Sequence, residues 1–343
     1  MTPARPILRG LAMLALSAAL LTGCASTDPG GSEGGASGGY ASGGDAGATR
    51  VFAADNGDVA TPVDPQRIVA TGYAVPALIE ADAALVGISS WDRGVPMMTK
   101  VDRATYEGLD NVGGERADLL NYEAVALAQP DLIIVGVPIP GLVDVDMARL
   151  ELIAPVVVLG PTVPSAWREL TRRQADAAGR LGAFEQAKAA YDERATELRE
   201  KYGAALRGAE FAHLGAYGDV SAGTFQREFG DSWGTNIAQD IGVEYYGEVK
   251  EKGGGARDVA ETPSMEMIVE SFAAADAITY SLAVDGSVPA SVQAVLDSPL
   301  WQQLPAVQAG KVIPLRYTEA ATYASALLTL DSIDDALAPL RQD

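Results

Sequence analysis

Short apolar runs rich in valine and isoleucine alternate with helical patterns along most of the chain. This alternation is typical of parallel strands connected by helices. Strands are predicted at Arg67–Tyr73, Leu85–Ser90, Asp131–Val135 and Val156–Leu159 in the first half, and at Glu210–Tyr217, Ala277–Tyr280 and Lys311–Leu315 in the second. Helices are predicted between the first strands at Pro76–Ala81 and Tyr122–Ala128. The pattern therefore predicts an α/β fold built from two lobes.

One long helical pattern separates the two halves. Its apolar residues recur at three-, four- and seven-residue steps from Ser165 to about Leu206, with no proline inside. A helix of about forty residues extends roughly 60 Å, and Gly179 and Gly182 are the positions where we expect a bend. The predicted organisation is an N-terminal lobe at 51–164, a bridging helix at 165–206 and a C-terminal lobe at 207–343.

The first fifty residues differ in composition from the rest. Arg5 and Arg9 precede an apolar stretch from Leu11 to Leu21 that is too short to cross a bilayer, as in a secretory signal. Residues 25–49 are almost entirely Gly, Ser, Ala, Asp and Thr, a composition that favours a flexible linker. We therefore predict a signal peptide at 1–23 and a linker at 24–50.

Cys24 is the only cysteine in the chain, and it stands at the end of this signal in the run Leu-Thr-Gly-Cys. That run resembles the bacterial lipobox, whose cysteine is acylated and becomes the first residue of the mature protein. The resemblance implies a lipid anchor, such as palmitate, on Cys24. It also implies a globular body held by the membrane at its extracytoplasmic face.

The charge and the histidine content exclude several kinds of partner. The chain has 25 basic and 46 acidic residues, a formal net charge of −21, which argues against binding nucleic acid. Its only histidine is His213, so a multi-histidine zinc or manganese site is impossible. Ferric iron held by several tyrosines is not excluded by composition. We predict no resident metal and no cofactor.

Four stretches together resemble the periplasmic-binding-protein family for iron-siderophore and vitamin B12 import, the helical-backbone class of ABC-transporter substrate-binding proteins. They are Arg67–Ala70 before a helix, Val112–Gly114 with Asn121–Ile134, the long central helix, and Asp297–Val307 with Gly310–Val312. The resemblance runs from about residue 60 to the C-terminus. It implies a carrier without enzymatic activity, with a ferric siderophore as transported ligand and a permease dimer as partner. We expect a monomer.

In this family two α/β lobes flank a ligand cleft. Ligands of open α/β sheets gather at the loops that leave the C-terminal ends of strands. Here those loops carry aromatic rings and arginines, which suit the rim and the oxygen atoms of a ferric chelate. Three arginines in one cleft would suit an anionic catecholate or carboxylate complex, whereas a hydroxamate complex would rely more on the rings. The predicted ligand-binding residues are Tyr73, Trp91, Arg93, Phe225, Arg227, Trp233, Arg316 and Tyr317.

Two glutamates occupy matching positions in the two halves. Glu123 lies two residues after Asn121, and Glu266 lies two residues after Ser264, each at the start of a helical segment that leads into a strand. The resemblance implies that these acids dock onto arginines of the permease dimer. The simpler explanation is a glutamate placed at a helix N-terminus by the helix dipole.

Three alternatives remain open at this stage. Haem or cobalamin would also use an aromatic cleft. His213 could serve as a haem ligand, but its place in a predicted strand favours a buried structural residue. Gly230–Gly234 matches the G-x-S-x-G motif of serine hydrolases, with Ser232 as nucleophile. No histidine follows that serine, however, and Thr224–Phe229 is a poor buried strand. The third alternative is a structural or sensory lipoprotein whose cleft is empty.

Overall fold

The computed structural model describes residues 47–341, with side chains up to Pro339. The strands are β1 Thr49–Ala54, β2 Gly57–Pro62, β3 Ile68–Gly72, β4 Leu85–Ser89, β5 Asn111–Gly113, β6 Leu132–Gly136, β7 Val156–Val158, β8 Glu210–Gly215, β9 Gln226–Glu228, β10 Glu244–Tyr245, β11 Ala260–Glu261, β12 Ala277–Ser281 and β13 Val312–Leu315. The helices are α1 Ala74–Glu80, α2 Lys100–Gly108, α3 Tyr122–Leu127, α4 Met147–Glu151, α5 Trp167–Ala177, α6 Leu181–Leu206, α7 Asn236–Asp240, α8 Ile268–Phe272, α9 Ala290–Leu296, α10 Pro305–Gln308 and α11 Tyr323–Leu337. Within this part of the chain, no helix combines the length and the apolar character needed to cross a membrane.

The N-terminal lobe contains a five-stranded parallel sheet in the order β5-β4-β3-β6-β7. Every residue of the central strands β3 and β6 is buried. Parallel strands covered on both faces read as continuous apolar runs, which explains why the sequence reveals them. The four strands predicted in this half are confirmed within one or two residues at each end.

The C-terminal lobe contains a mixed sheet in the order β11-β9-β8-β12-β13, with β10 paired to β8. Strands β8, β12 and β13 run parallel, whereas β9 is antiparallel to β8. Strand β9 lies in the segment 224–229, so the prediction of a poor buried strand there is wrong. Arg227 and Glu228 in β9 are only 1% and 2% exposed. Their burial is tolerated because each hydrogen-bonds to the backbone: Arg227 donates to Tyr246 O and Glu228 accepts from Gly234 N.

Strands β1 and β2 form an antiparallel hairpin that the sequence analysis did not predict. Because β1 begins at Thr49, the predicted linker at 24–50 extends too far. Ion pairs fix the hairpin to α5: Arg50 lies 2.7 Å from Asp176, and Asp55 lies 2.7 Å from Arg173. The predicted signal peptide, the predicted lipidation site Cys24 and the predicted linker up to residue 46 lie outside the described residues.

The predicted single helix at 165–206 is two helices, α5 and α6. Helix α5 ends at Ala177, and Gly179, two residues further on, has a φ of +69°. The N–H of Gly179 donates to Asp176 O (2.9 Å) and the N–H of Arg180 donates to Ala175 O (2.7 Å), which is the Schellman arrangement that terminates helices. The apolar repeat continues across this break, so periodicity alone does not reveal it.

The connecting helices pack into the cores of both lobes. In α5, Trp167 belongs to the apolar cluster of the C-terminal lobe, whereas Leu170 belongs to that of the N-terminal lobe. The ring of Tyr323 in α11 lies 4.8 Å from Trp167 and 5.4 Å from Tyr191. From the other lobe, the carboxylate of Glu80 accepts the backbone N–H of Tyr323 (3.1 Å). These contacts join the two lobes through α5, α6 and α11.

Candidate ligand-binding cleft

A cavity of about 360 Å³ opens between the lobes, at the end of the sheets where the parallel strands terminate. Tyr73 follows β3, Trp91 follows β4, Tyr217 follows β8 and Glu319 follows β13, and all four line the cavity. This position agrees with the general rule for ligands of open α/β sheets. The volume lies within the roughly 300–1,000 Å³ typical of small-molecule sites.

Three rings from both lobes form an aromatic cluster, defined as Tyr73, Trp91 and Trp233. Tyr73 meets Trp91 edge-on at 4.8 Å, and it lies parallel to Trp233 of the opposite lobe at 6.4 Å with an interplanar angle of 10°. Trp91 is buried against the backbone of Gly94, where any side chain would collide with the indole. Tyr73 and Trp233, which are half-buried, thus offer flat faces at the junction of the lobes.

Arg93 lies beside this cluster. Its guanidinium carbon is 4.2 Å from the centre of the Trp91 ring and 4.9 Å from that of Tyr73, within the range of cation–π contacts. Its Nε lies 2.5 Å from a carboxylate oxygen of Glu115. Nearly half of the Arg93 side chain, 47%, remains exposed, so the guanidinium is accessible to a ligand.

Buried polar groups form hydrogen bonds to the turn that carries Trp233. The carboxylate of Glu228 accepts the N–H of Gly234 at 2.7 Å, and the hydroxyl of Thr235 donates to Phe229 O at 2.7 Å. Burial raises the pKa of Glu228 to about 7, even though the Gly234 N–H favours its charged form. Sequence reasoning missed Glu228, because a charged residue in a loop-like segment gives no sign of burial.

The raised pKa of Glu228 predicts a pH-dependent stability. The folded state holds this proton more tightly than the unfolded chain, whose pKa is the ordinary 4.5, so the unfolding free energy should fall as pH rises from 4.5 to 7. We expect this one group to contribute a loss of about 3 kcal/mol. In denaturant unfolding at about pH 5 and pH 8, Glu228→Gln should lose correspondingly less stability than the parent protein.

A matched control is Glu193→Gln, which changes a glutamate on the exposed face of α6. This variant should follow the parent protein at both pH values. An identical pH dependence in Glu228→Gln and the parent would show that Glu228 ionises normally in the folded state.

Three acidic side chains also line the cleft, and the sequence analysis named none of them as ligand-binding. Glu319 accepts a hydrogen bond from the hydroxyl of Tyr217, and Asp102 accepts one from the hydroxyl of Thr99 at 2.7 Å. Burial raises the pKa of Glu80 to about 7, against its bonds to the N–H groups of Ala324 and Tyr323. Glu80 and Asp102 lie on helices α1 and α2, whereas the rule for ligands of open α/β sheets points to the loops after strands.

The structure brings four of the eight predicted ligand-binding residues to the cleft, namely Tyr73, Trp91, Arg93 and Trp233. Phe225 and Arg227 point the other way. Phe225 is fully buried and packs 5.5 Å from Phe272, while the guanidinium of Arg227 donates to Ser271 O and Tyr246 O. Their neighbour Gln226 lines the cleft instead, because successive side chains of a strand point to opposite faces.

Arg316 and Tyr317 also lie outside the residues that line the cleft. The guanidinium of Arg316 donates to Val284 O in the loop after β12, and its carbon lies 4.8 Å from the centre of the Tyr317 ring. Tyr317 has a φ of +59°, a turn conformation that sequence patterns do not reveal. The residue of this loop that reaches the cleft is Glu319.

His213 is a buried structural residue, as the sequence favoured. Its Nδ1 lies 2.7 Å from Thr279 Oγ1 and its Nε2 lies 3.0 Å from Ser281 Oγ, and burial lowers its pKa to about 3. Ser232 is buried beside Glu228, whereas His213 contacts Thr279 and Ser281. Ser232 and His213 therefore do not form the serine–histidine pair of a hydrolase. Within residues 47–341, no group of three or more His, Cys, Asp or Glu side chains is arranged to hold a metal ion.

The two predicted docking glutamates are exposed and similarly capped. Asn121 Oδ1 accepts the N–H of Glu123 at 3.1 Å at the start of α3. Ser264 Oγ accepts the N–H of Glu266 at 3.4 Å, in a 3₁₀ turn that precedes α8. Neither glutamate lines the cleft, so the pair forms a feature separate from the ligand site.

Two α/β lobes joined by helices, with a ring-lined cavity at the ends of their strands, are the architecture of a bilobed ligand-binding protein. Residues 68–317 match the family described as periplasmic binding protein, which is well over half of the chain. The chain therefore belongs to this periplasmic-binding-protein family. No curated protein gives a significant match.

Solved structures with the same fold include a siderophore periplasmic binding protein from the fuscachelin gene cluster of Thermobifida fusca. It is 31% identical over 81% of this chain and 98% of its own, with a TM-score of 0.63. SirA of Staphylococcus aureus, solved with staphyloferrin B, is 19% identical over 84% and 99% of the two chains, with a TM-score of 0.63. A periplasmic solute binding protein of Mycobacterium smegmatis is 18% identical over 85% and 98%, with a TM-score of 0.64. The last two likenesses show the fold alone.

Proposed function

We propose that this protein captures a ferric siderophore outside the cytoplasmic membrane and delivers it, chemically unchanged, to the permease of an ABC importer. The observation that carries the proposal is the aromatic cluster with Arg93 at the interlobe cleft. It occurs in a chain that is 31% identical to a siderophore periplasmic binding protein. Binding and transfer, without catalysis, are also what its family membership supports.

The chemistry of the cleft suits such a cargo. A ferric siderophore already supplies six ligands to its iron, so the protein needs faces for the rim of the chelate and donors for its oxygen atoms. Tyr73 and Trp233 offer the faces, and the exposed guanidinium of Arg93 offers the donors. We propose that the four predicted residues that line the cleft bind the ligand, namely Tyr73, Trp91, Arg93 and Trp233.

Delivery requires a position at the membrane and a docking surface. We propose a lipid anchor on Cys24, because the run before it resembles a lipobox at the end of a signal peptide. We also propose that the Gly-, Ser- and Ala-rich stretch after Cys24 serves as a linker, for which a flexible chain of this length predicts a reach of roughly 25–30 Å. Glu123 and Glu266, exposed and capped alike on separate lobes, are proposed to dock onto arginines of the permease dimer.

Titration of the intrinsic tryptophan fluorescence tests the function. The panel consists of ferric hydroxamates, ferric catecholates, ferric citrate, haem and cobalamin, with the iron-free siderophores as controls. We expect at least one ferric siderophore to quench the fluorescence at submicromolar concentration, because Trp91 and Trp233 line the cleft. Quenching by haem or cobalamin alone would mean that this compound, and not a ferric siderophore, is the transported ligand. If no compound quenches the fluorescence, the proposal that the protein is a carrier is contradicted.

A further inference from the structure

The cleft is acidic rather than basic. Arg93 is the only basic side chain among the described residues that line it, and Glu115 already pairs with its guanidinium at 2.5 Å. Asp102 from the N-terminal lobe and Glu319 from the C-terminal lobe face the same space. The carboxyl of Glu80 is there too, but its pKa of about 7 leaves it partly protonated at neutral pH.

The two other arginines predicted for the cleft, Arg227 and Arg316, would have made it less acidic, but both are bound elsewhere. Arg227 donates to backbone carbonyls in the C-terminal lobe, including Tyr246 O at 3.1 Å, and lies against the ring of Phe229 at 4.6 Å. Arg316 donates to Val284 O. Neither guanidinium lines the cleft, so an anionic ligand would find Arg93 as its sole cation among the described lining residues.

Ligand charge should therefore decide which chelates bind. Two like charges about 6 Å apart in a partly buried site repel by roughly 3 kcal/mol at an effective dielectric constant of 20. A ferric tricatecholate carries three negative charges, and ferric citrate complexes are also anionic. Three hydroxamates neutralise the charge of the ferric ion, so a trihydroxamate complex is neutral, or cationic when it carries a free ammonium group.

We propose that the cleft selects ferric siderophores without net negative charge, of the trihydroxamate type, and that Asp102 and Glu319 exclude anionic chelates. This selection rests on the proposed siderophore function. The two carboxylates line the cavity from opposite lobes. The hydrogen bond from Tyr217 orients Glu319 without removing its charge. Both carboxylates are also placed to accept a hydrogen bond from an ammonium group on the chelate.

The test compares ferrioxamine B, a cationic trihydroxamate, with ferric enterobactin, a trianionic tricatecholate, by tryptophan-fluorescence titration of the mature protein. We expect ferrioxamine B to bind at least about a hundredfold more tightly. The isosteric variants Asp102→Asn and Glu319→Gln should each narrow that ratio by roughly tenfold. Glu193→Gln on the exposed face of α6 is the matched control and should leave the ratio unchanged.

Each outcome separates the charge proposal from the function it rests on. Ferric enterobactin binding as tightly as ferrioxamine B, or a ratio unaffected by both cleft variants, would overturn the selection by charge and leave siderophore binding intact. Failure of every ferric chelate to bind would instead overturn the proposed function. The ratio should also shrink as the salt concentration rises, because screening weakens charge repulsion in a solvent-open cleft.

Discussion

A variant with both Glu123→Arg and Glu266→Arg should lose uptake of the ferric siderophore and keep its affinity for it. Both side chains are exposed, lie on separate lobes and do not line the cleft, so reversing their charge leaves the ligand site unchanged. At the permease, two arginines would then face the arginines that we propose as partners, and like charges in a contact cost several kcal/mol. Uptake of radioactive iron by cells that carry only the variant, together with fluorescence titration, measures both effects.

A second double variant, Glu193→Arg with Glu200→Arg, provides the control. It makes the same change of charge at exposed positions of α6, away from α3 and the turn before α8. Uptake should stay at the level of the parent protein. Normal uptake by the Glu123→Arg/Glu266→Arg protein would rule out docking through these residues.

Replacing Trp233 by alanine should weaken binding of the ferric chelate by roughly 30-fold or more, the effect of a central aromatic contact. The indole lies parallel to Tyr73 across the interlobe junction, so its loss removes one of the two facing rings. Tyr73→Ala should have a similar effect, and the double variant should bind too weakly to measure at micromolar protein. Fluorescence from the remaining tryptophans or isothermal titration calorimetry measures the affinity.

Tyr317→Ala is the informative control for this series. The sequence predicts Tyr317 as a ligand contact just as it predicts Trp233, but the structure leaves its ring outside the cleft lining, against Arg316. Its substitution should therefore change affinity less than twofold, within the scatter of peripheral contacts. Equal losses in Tyr317→Ala and Trp233→Ala would mean that the ligand lies elsewhere.

The sequence predicts the central strands well because their burial on both faces leaves an uninterrupted apolar run, as in Ile68–Gly72 and Leu132–Gly136. It fails at β9, where Arg227 and Glu228 are buried because backbone groups outside the strand, Tyr246 O and Gly234 N, hydrogen-bond to them. It predicts a bend at Gly179 but continues the bridging helix through it, since the end of the helix there depends on the conformation of one residue and not on periodicity. Local patterns reveal burial, whereas polar contacts between distant segments do not appear in them.

The residues of the candidate site likewise fall into those that local patterns predict and those that only the fold reveals. Loops after parallel strands predict Tyr73, Trp91 and Arg93 correctly as cleft-lining residues, because the end of each strand fixes where its loop begins. The direction of a side chain within β9 depends on a register that the sequence leaves open, so Arg227 is assigned to the cleft although Gln226 lines it. The acidic character of the cleft therefore becomes visible only once the fold places Asp102 and Glu319 in the lining of the same cavity.

The most direct test of the central claim is a crystal structure of the protein with a bound ferric chelate. We predict that the iron centre lies between the lobes, with the chelate in contact with Tyr73, Trp233 and Arg93. A chelate bound at the outer side of β9 near Arg227, or beside Arg316, with the aromatic cluster empty, would contradict the assignment of this cleft as the ligand site.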